Sequence, residues 1–247
     1  MYFDKIYSNG CSFSCAGGLN WEEVKSQYKN KLNILIDNHL DFAYPNIVAK
    51  ELNIPIINES AQGGSLNRLI RMTYEYIYKN NVSKTLFILE LPPMWRDELY
   101  SFRLDRLMNI TWGVIKNPNT DKTEIANGYN SKDINYVYRD IINYFDNFVN
   151  VDFETDKSMN NLLGLLSYMQ VNNISFKLLD CCDFESFLKT HNLKNNYDFV
   201  KFDGKSINNW FKDEKLSIND ELAISIDNHL GIEGNKIAAN ILLKNII

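Results

Sequence analysis

Four short apolar runs, each closed by turn-forming residues, constrain this chain most: Lys5 to Ser8, Ile54 to Asn58, Thr85 to Leu91 and Ser175 to Asp180. Nearly unbroken apolar character over about 4 to 8 residues is the pattern of a strand buried on both faces, as in a parallel sheet. Parallel neighbours cannot be joined by a tight turn, so each pair needs a crossover. Stretches of helical period supply the crossovers. In Ser65 to Lys79, Leu66, Leu69, Ile70, Thr73 and Ile77 fall on one helical face. Leu162, Leu163, Leu166 and Met169 do so within Met159 to Gln170, and Ile237, Ala238, Ile241 and Leu242 within Gly234 to Ile247. The alternation predicts an α/β fold, a three-layer α/β/α sandwich about a mainly parallel sheet. Such sheets carry their sites at the carboxyl ends of the strands, just after Ser8, Asn58, Leu91 and Asp180.

A chain of 247 residues can bury a substantial core without disulfides or metal, and one domain over residues 1–247 is expected. With 45% hydrophobic and 23% charged residues, disorder is not expected. The net charge of −5 and a pI near 5.3 lack the basic footprint that phosphate-backbone binding requires, so nucleic acid is not expected as a partner. No apolar run approaches the roughly 20 residues of a membrane span. The opening MYFDKIYSNG lacks the basic and apolar regions of a signal peptide, so the expected location is cytoplasmic. Cys11, Cys15, Cys181 and Cys182 form no CxxC pair and have no histidine at zinc-finger spacing. Reduced thiols, no structural metal and no cofactor are expected.

Between Pro92 and about Ile134 the rhythm breaks. Ile110 to Lys116 and Thr123 to Ala126 flank the turn-rich NPNTD, a β-hairpin pattern, and Trp95, Tyr100, Phe102, Trp112 and Tyr129 gather nearby. An excursion at about 92–134 over the sheet's carboxyl end reads as a lid or substrate wall, or equally as an elaboration covering an edge.

Three strand-end motifs carry the chemistry. SNGCSFSCAGG follows the first run, and Gly10 lets the chain turn and present Ser12. Small polar residues after a strand are also ordinary turn formers. NESAQGGSLNR follows the second run. Its Gly63-Gly64 turn into a helix aims backbone N–H groups where an oxyanion or phosphate could bind, or simply makes the turn with Ser65 as N-cap. Near the C-terminus, IDNHL places Asp227 two residues before His229, ahead of GIEGNKIAANIL. A loop histidine there can reach a strand end while the acid fixes its tautomer.

Taken together, Gly10-Cys11-Ser12, Asn58 to Gly64 and Asp227-Asn228-His229 resemble the SGNH, or GDSL-like, hydrolase superfamily. The motifs occur in the family's order over nearly the whole chain but total only about twenty residues. The resemblance implies a flavodoxin-like central sheet and a Ser–His–Asp esterase. In it Ser12 is nucleophile, His229 base and Asp227 the orienting acid, with oxyanion donors from the Ser12 and Gly63 backbone. Two departures stand out. The family's Gly-x-Asn-Asp block is missing, since the third strand runs into ELPPMWRDE, and the acid lies two rather than three residues before the histidine. Candidates for the missing donor or for substrate contact are Gly64, Asn67, Trp95 and Arg96. Ser14 and Cys11 are rival nucleophiles.

IDNHL also occurs at Ile36 to Leu40, but the flanking residues do not align, which argues against a duplication. That copy, with His39, reads as coincidence, and His191 as a surface residue. The expected substrate is a small acyl ester, by family analogy an O-acetyl group on a carbohydrate. Transfer to a sugar hydroxyl would make the same site an acyltransferase. The alternative from another class is a non-catalytic module in which Gly63, Gly64, Arg68 and Arg71 hold a sugar or phosphate. A nucleotide site is set aside for want of a P-loop or dinucleotide fingerprint.

Overall fold

The computed structural model describes residues 2–94, 96–101, 106–111, 141–144, 147, 150–181, 184, 197, 199–218 and 229–247. In chain order the elements are β1 (Lys5–Asn9), α1 (Glu22–Leu32), α2 (Tyr44–Glu51), β2 (Ile56–Asn58), α3 (Leu66–Lys79), β3 (Thr85–Leu91), β4 (Arg96–Ser101), β5 (Arg106–Thr111), α4 (Val151–Val171), β6 (Phe176–Asp180), β7 (Phe199–Val200), α5 (Ile207–Asp213) and α6 (Ile232–Lys244).

The main sheet runs β2-β1-β3-β6-β7 with every pairing parallel. Renumbered within the sheet this is the 2-1-3-4-5 order of flavodoxin-like folds, whose ligands lie where the strand order reverses, beside β1 and β3. Because strand side chains alternate, the apolar runs feed two cores. Ile6, Leu86, Ile88, Leu179 and Val200 pack on one face with Val48, Trp210, Phe211, Ala238 and Leu242 from α2, α5 and α6. Tyr7, Phe87, Leu89, Leu91 and Leu178 pack on the other with Leu69, Ile70, Leu162 and Leu166 from α3 and α4. Helices thus cover both faces, as the alternation of patterns predicts.

The helix from Ser65 starts as expected: the Ser65 hydroxyl accepts a bond from the Arg68 N–H, capping α3. The helix around Met159 is longer than its apolar stripe and begins at Val151, with Asn150 accepting from the Phe153 N–H. The shortest elements are among those that escape sequence reading. β7 spans only two residues and α5 seven, too short for either period to show.

The expected hairpin around NPNTD lies almost wholly outside the described residues. Among the described residues, β4 and β5 pair antiparallel from Arg96 opposite Thr111 to Ser101 opposite Arg106. Ile110 belongs to β5, opposite Asp97. The polar triplet Arg96-Asp97-Glu98 hides the strand. Asp97 accepts from Asn67 at 2.7 Å and Glu98 from Arg71 at 2.8 Å, so both acids face α3 rather than solvent. Trp95 and residues 112–140 lie outside the described residues, as does much of the expected excursion. No helix among the described residues is long and apolar enough to cross a membrane.

Candidate active site

The turn after β1 is built so that Cys11 and Ser12 face different surroundings. Gly10 leaves β1 where a side chain could not stand, because a Cβ there would lie 2.5 Å from Ser14 Oγ and 2.8 Å from Glu90 Cβ. Cys11 turns inward and is fully buried, whereas Ser12 lies against the Gly17-Gly18 turn at 5% exposure. A Cβ at Gly17 would come 3.1 Å from Ser12 Cβ and 2.6 Å from Gln62 Cγ. The Ser12 carbonyl accepts from the Gly17 N–H at 2.7 Å, closing the turn.

His229 reaches the same turn from the far end of the sequence. A Cβ at Gly18 would stand 2.7 Å from His229 Cβ, and the imidazole packs 5.4 Å from the Phe13 ring and 6.2 Å from Trp21. Its segment is anchored by the bond from Ile218 N–H to the His229 carbonyl and by Gly231 N–H to the Leu216 carbonyl. Consecutive glycines therefore touch the serine and the histidine, which are brought together across most of the chain. Asp227 and Asn228 lie outside the described residues.

The second motif is tied to the first. The Glu59 N–H bonds the Ser8 carbonyl, the Ala61 N–H bonds the Gly10 carbonyl, and Asn58 donates to the Ser14 carbonyl at 2.9 Å. Gly63 has φ +67°, the left-handed value that favours glycine in a turn closed by Gly64 N–H and the Ala61 carbonyl. Gly64 sits against the nucleophile turn, since a Cβ there would meet the Gly10 carbonyl oxygen at 2.6 Å.

The other candidates separate clearly. Asn67 spends an amide hydrogen on Asp97, whose carboxyl is raised above its usual value by burial. Arg68 is committed to Asn9 Oδ1 and the Glu59 carbonyl, and Arg71 to Glu98. Arg96 differs, because its Nε and Nη1 are buried without a hydrogen-bond partner among the described residues. His39 begins a short 3-10 turn and is half-buried, its pKa lowered by burial and by Lys25. It has no described link to Ser12.

A buried knot beneath Ser12 escapes sequence reading. Glu90, near the end of β3 and fully buried, shares a hydrogen bond with Cys11 Sγ at 2.7 Å on one oxygen. Its other oxygen accepts from Ser14 Oγ and from the Tyr44 hydroxyl, the latter at 2.8 Å. Cys11 Sγ, Cys181 Sγ and a Glu90 oxygen all lie within 4.8 Å of one another. Two thiols and a carboxylate form a donor set that zinc accepts. Here, though, both carboxyl oxygens are already engaged and the Arg96 charge acts on the same cluster. Burial holds the Glu90 carboxyl protonated well above the usual carboxylate range, with Cys11 adding to the effect. Burial alone would also raise Cys11, but Cys181 and the Arg96 charge outweigh it and bring the thiol down to about 6. The one sequence signal for this knot is a glutamate inside the apolar run TLFILEL.

No family model and no curated protein sequence matches this chain. Solved structures do resemble it at low identity. A lipolytic protein of the G-D-S-L family from Desulfitobacterium hafniense is 11% identical, with TM-score 0.44, over 98% of both chains. The psychrotrophic esterase EstA from Pseudoalteromonas sp., in a structure inhibited by monoethylphosphonate, is 14% identical with TM-score 0.46, over 98% of this chain and 96% of that one. The acetyl xylan esterase AlAXEase is 15% identical with TM-score 0.34, over 98% of this chain and 100% of that one. At these scores the likeness assigns no residue a role.

Proposed function

We propose that this protein is a serine ester hydrolase acting on a small acyl ester, with Ser12 as nucleophile, His229 as general base and Asp227 as the acid that orients the histidine. The observation that carries this reading is the packing of Ser12 and His229 against the adjacent glycines Gly17 and Gly18 at the carboxyl end of β1. Ser12 Oγ attacks the ester carbonyl as His229 takes its proton. The proton then passes to the leaving alcohol, and water releases the acyl group. The Ser12 and Gly63 N–H groups are candidates for the oxyanion, with Arg96 in place of the missing asparagine because its Nε and Nη1 have no hydrogen-bond partner among the described residues.

The small size of the acyl group is taken from family analogy. A carbohydrate O-acetyl group fits that size, and a sugar hydroxyl in place of water would make the reaction an acyl transfer. The non-catalytic alternative draws less support, since Arg68 and Arg71 are occupied by protein acceptors.

The test is hydrolysis of p-nitrophenyl acetate and butyrate by the parent protein beside Ser12→Ala and His229→Ala, with labelling by a fluorophosphonate. The proposal requires loss of both activity and labelling in Ser12→Ala, loss of activity in His229→Ala, and acetate preferred over butyrate. A folded parent protein that neither hydrolyses nor labels would favour the binding module.

A further inference from the structure

We infer that Glu90 is a positioning residue for the nucleophile: its buried carboxyl is the peg on which the turn carrying Ser12 is hung. The inference rests on the esterase reading for its kinetic part and on geometry for the rest.

The ladder between β1 and β3 ends where Asn9 faces Leu89, so the next residues, Gly10 and Glu90, stand side by side just past it. From there the chain reads Gly-Cys-Ser-Phe-Ser-Cys-Ala-Gly-Gly, a run of mostly small residues with little conformational preference of its own. A nucleophile must be held to within about 0.5 Å of its productive position. Glu90 supplies the hold from beneath. One oxygen engages Cys11, the residue before Ser12, and the other engages Ser14, two residues after it. Tyr44, at the start of α2, binds that same oxygen and lies 3.0 Å from Ser14 Oγ, so the peg is itself fixed to a helix. The glycine of the motif is explained by the same contact, since Ser14 and Glu90 fill the space a side chain at position 10 would need.

A fully buried carboxyl is expensive unless its partners satisfy it, and here three do. Glutamine keeps the shape and can offer its carbonyl to the two hydroxyls and its amide to Cys11 Sγ. Alanine removes all three contacts.

The experiment compares Glu90→Gln, Glu90→Ala and the double variant Ser14→Ala/Tyr44→Phe with the parent in p-nitrophenyl acetate kinetics, fluorophosphonate labelling rate and native iodoacetamide alkylation of Cys11 read by mass spectrometry. Glu90→Gln should retain kcat within about 3-fold. Glu90→Ala should lose about 10²-fold in kcat with KM little changed, the size expected of a nucleophile displaced by about 1 Å. Cys11 should be protected in the parent and in Glu90→Gln and alkylated in Glu90→Ala. If Glu90→Ala does not fold, the double variant should still lose kcat at constant KM. Parental kcat and labelling in Glu90→Ala, or in the double variant, would overturn the inference, as would a Glu90→Gln as slow as Glu90→Ala. A parent with no esterase activity would sink the esterase reading alone, because Cys11 protection still reports whether Glu90 holds the turn.

Discussion

Gly18 and His229 are packed backbone against side chain, with no room for one further carbon between them: a Cβ on the glycine would lie 2.7 Å from His229 Cβ and 2.7 Å from Ile218 Cδ1. Gly18→Ala must therefore push the histidine or Ile218 aside. Overpacking of this kind costs about 1 to 3 kcal/mol. A shift of about 1 Å in a catalytic base costs on the order of 10²-fold in rate. We expect Gly18→Ala to fold with a modestly lowered urea midpoint and to lose kcat out of proportion to that change. Parental turnover in a folded Gly18→Ala would show that His229 does not act from this position.

Much of this arrangement is legible in the sequence because it depends on local chemistry. Unbroken apolar runs disclose β1 and β3, a one-sided stripe discloses α3, and the glycines at 10, 63 and 64 mark backbone positions that other residues would clash with or strain. What stays hidden depends on contacts between distant segments. The strand nature of Arg96-Asp97-Glu98 is concealed because its acids are satisfied by Asn67 and Arg71 on a helix nearly thirty positions away. Glu90 looks like an interruption of an apolar strand until Cys11, Ser14 and Tyr44 are brought around it. Nothing in a linear pattern pairs a serine at position 12 with a histidine at 229. Only the resemblance of the ordered motifs does so.

Arg96 gives a prediction in which activity and stability part company. Its buried Nε and Nη1 have no acceptor among the described residues, an arrangement that disfavours the folded state unless a ligand oxygen completes it. Arg96→Ala should then reduce kcat by about 10²- to 10³-fold, the usual effect of deleting an oxyanion donor. Its thermal midpoint should be equal to or above that of the parent. Arg96→Lys should recover little, because an ammonium cannot present two donors in one plane. Unchanged kcat in Arg96→Ala would remove Arg96 from the reaction.

Asn235 links the histidine segment to α2 and is fully buried. Its Oδ1 accepts from the Tyr44 N–H at 3.2 Å, while its Nδ2 donates to the carbonyls of Leu230 and Gly231 at 3.2 and 2.9 Å. Asn235→Ala strands a buried N–H and weakens the turn that follows His229. A loss of about 2 to 4 kcal/mol is expected from groups left unsatisfied in the interior. Asn235→Asp keeps the acceptor for Tyr44 but places a charge in the core, so it should not rescue the protein. Equilibrium urea unfolding of the three proteins checks the order, with the parent most stable.

The pH dependence of stability follows from the knot beneath Ser12. In the unfolded chain a glutamate loses its proton near 4.3 and a cysteine near 8.5. In the folded protein burial holds Glu90 protonated far above that value, and Cys11 ionises at about 6. Between about pH 4.3 and 6 the folded state carries one more proton at this pair than the unfolded state, so stability falls as pH rises, by up to about 1.4 kcal/mol per unit. Above 6 the folded Cys11 has released its proton while the unfolded cysteine keeps its own, which offsets the Glu90 contribution. Glu90→Gln has no carboxyl to hold protonated, so the falling limb should vanish from its profile, leaving the variant progressively more stable than the parent from pH 4.5 to 6 on the ~1.4 kcal/mol per unit scale. Urea midpoints measured at half-unit intervals across that window decide the matter. Parallel profiles for the two proteins would mean that Glu90 is ionised in the folded state, with Cys11 donating its thiol proton to the carboxylate.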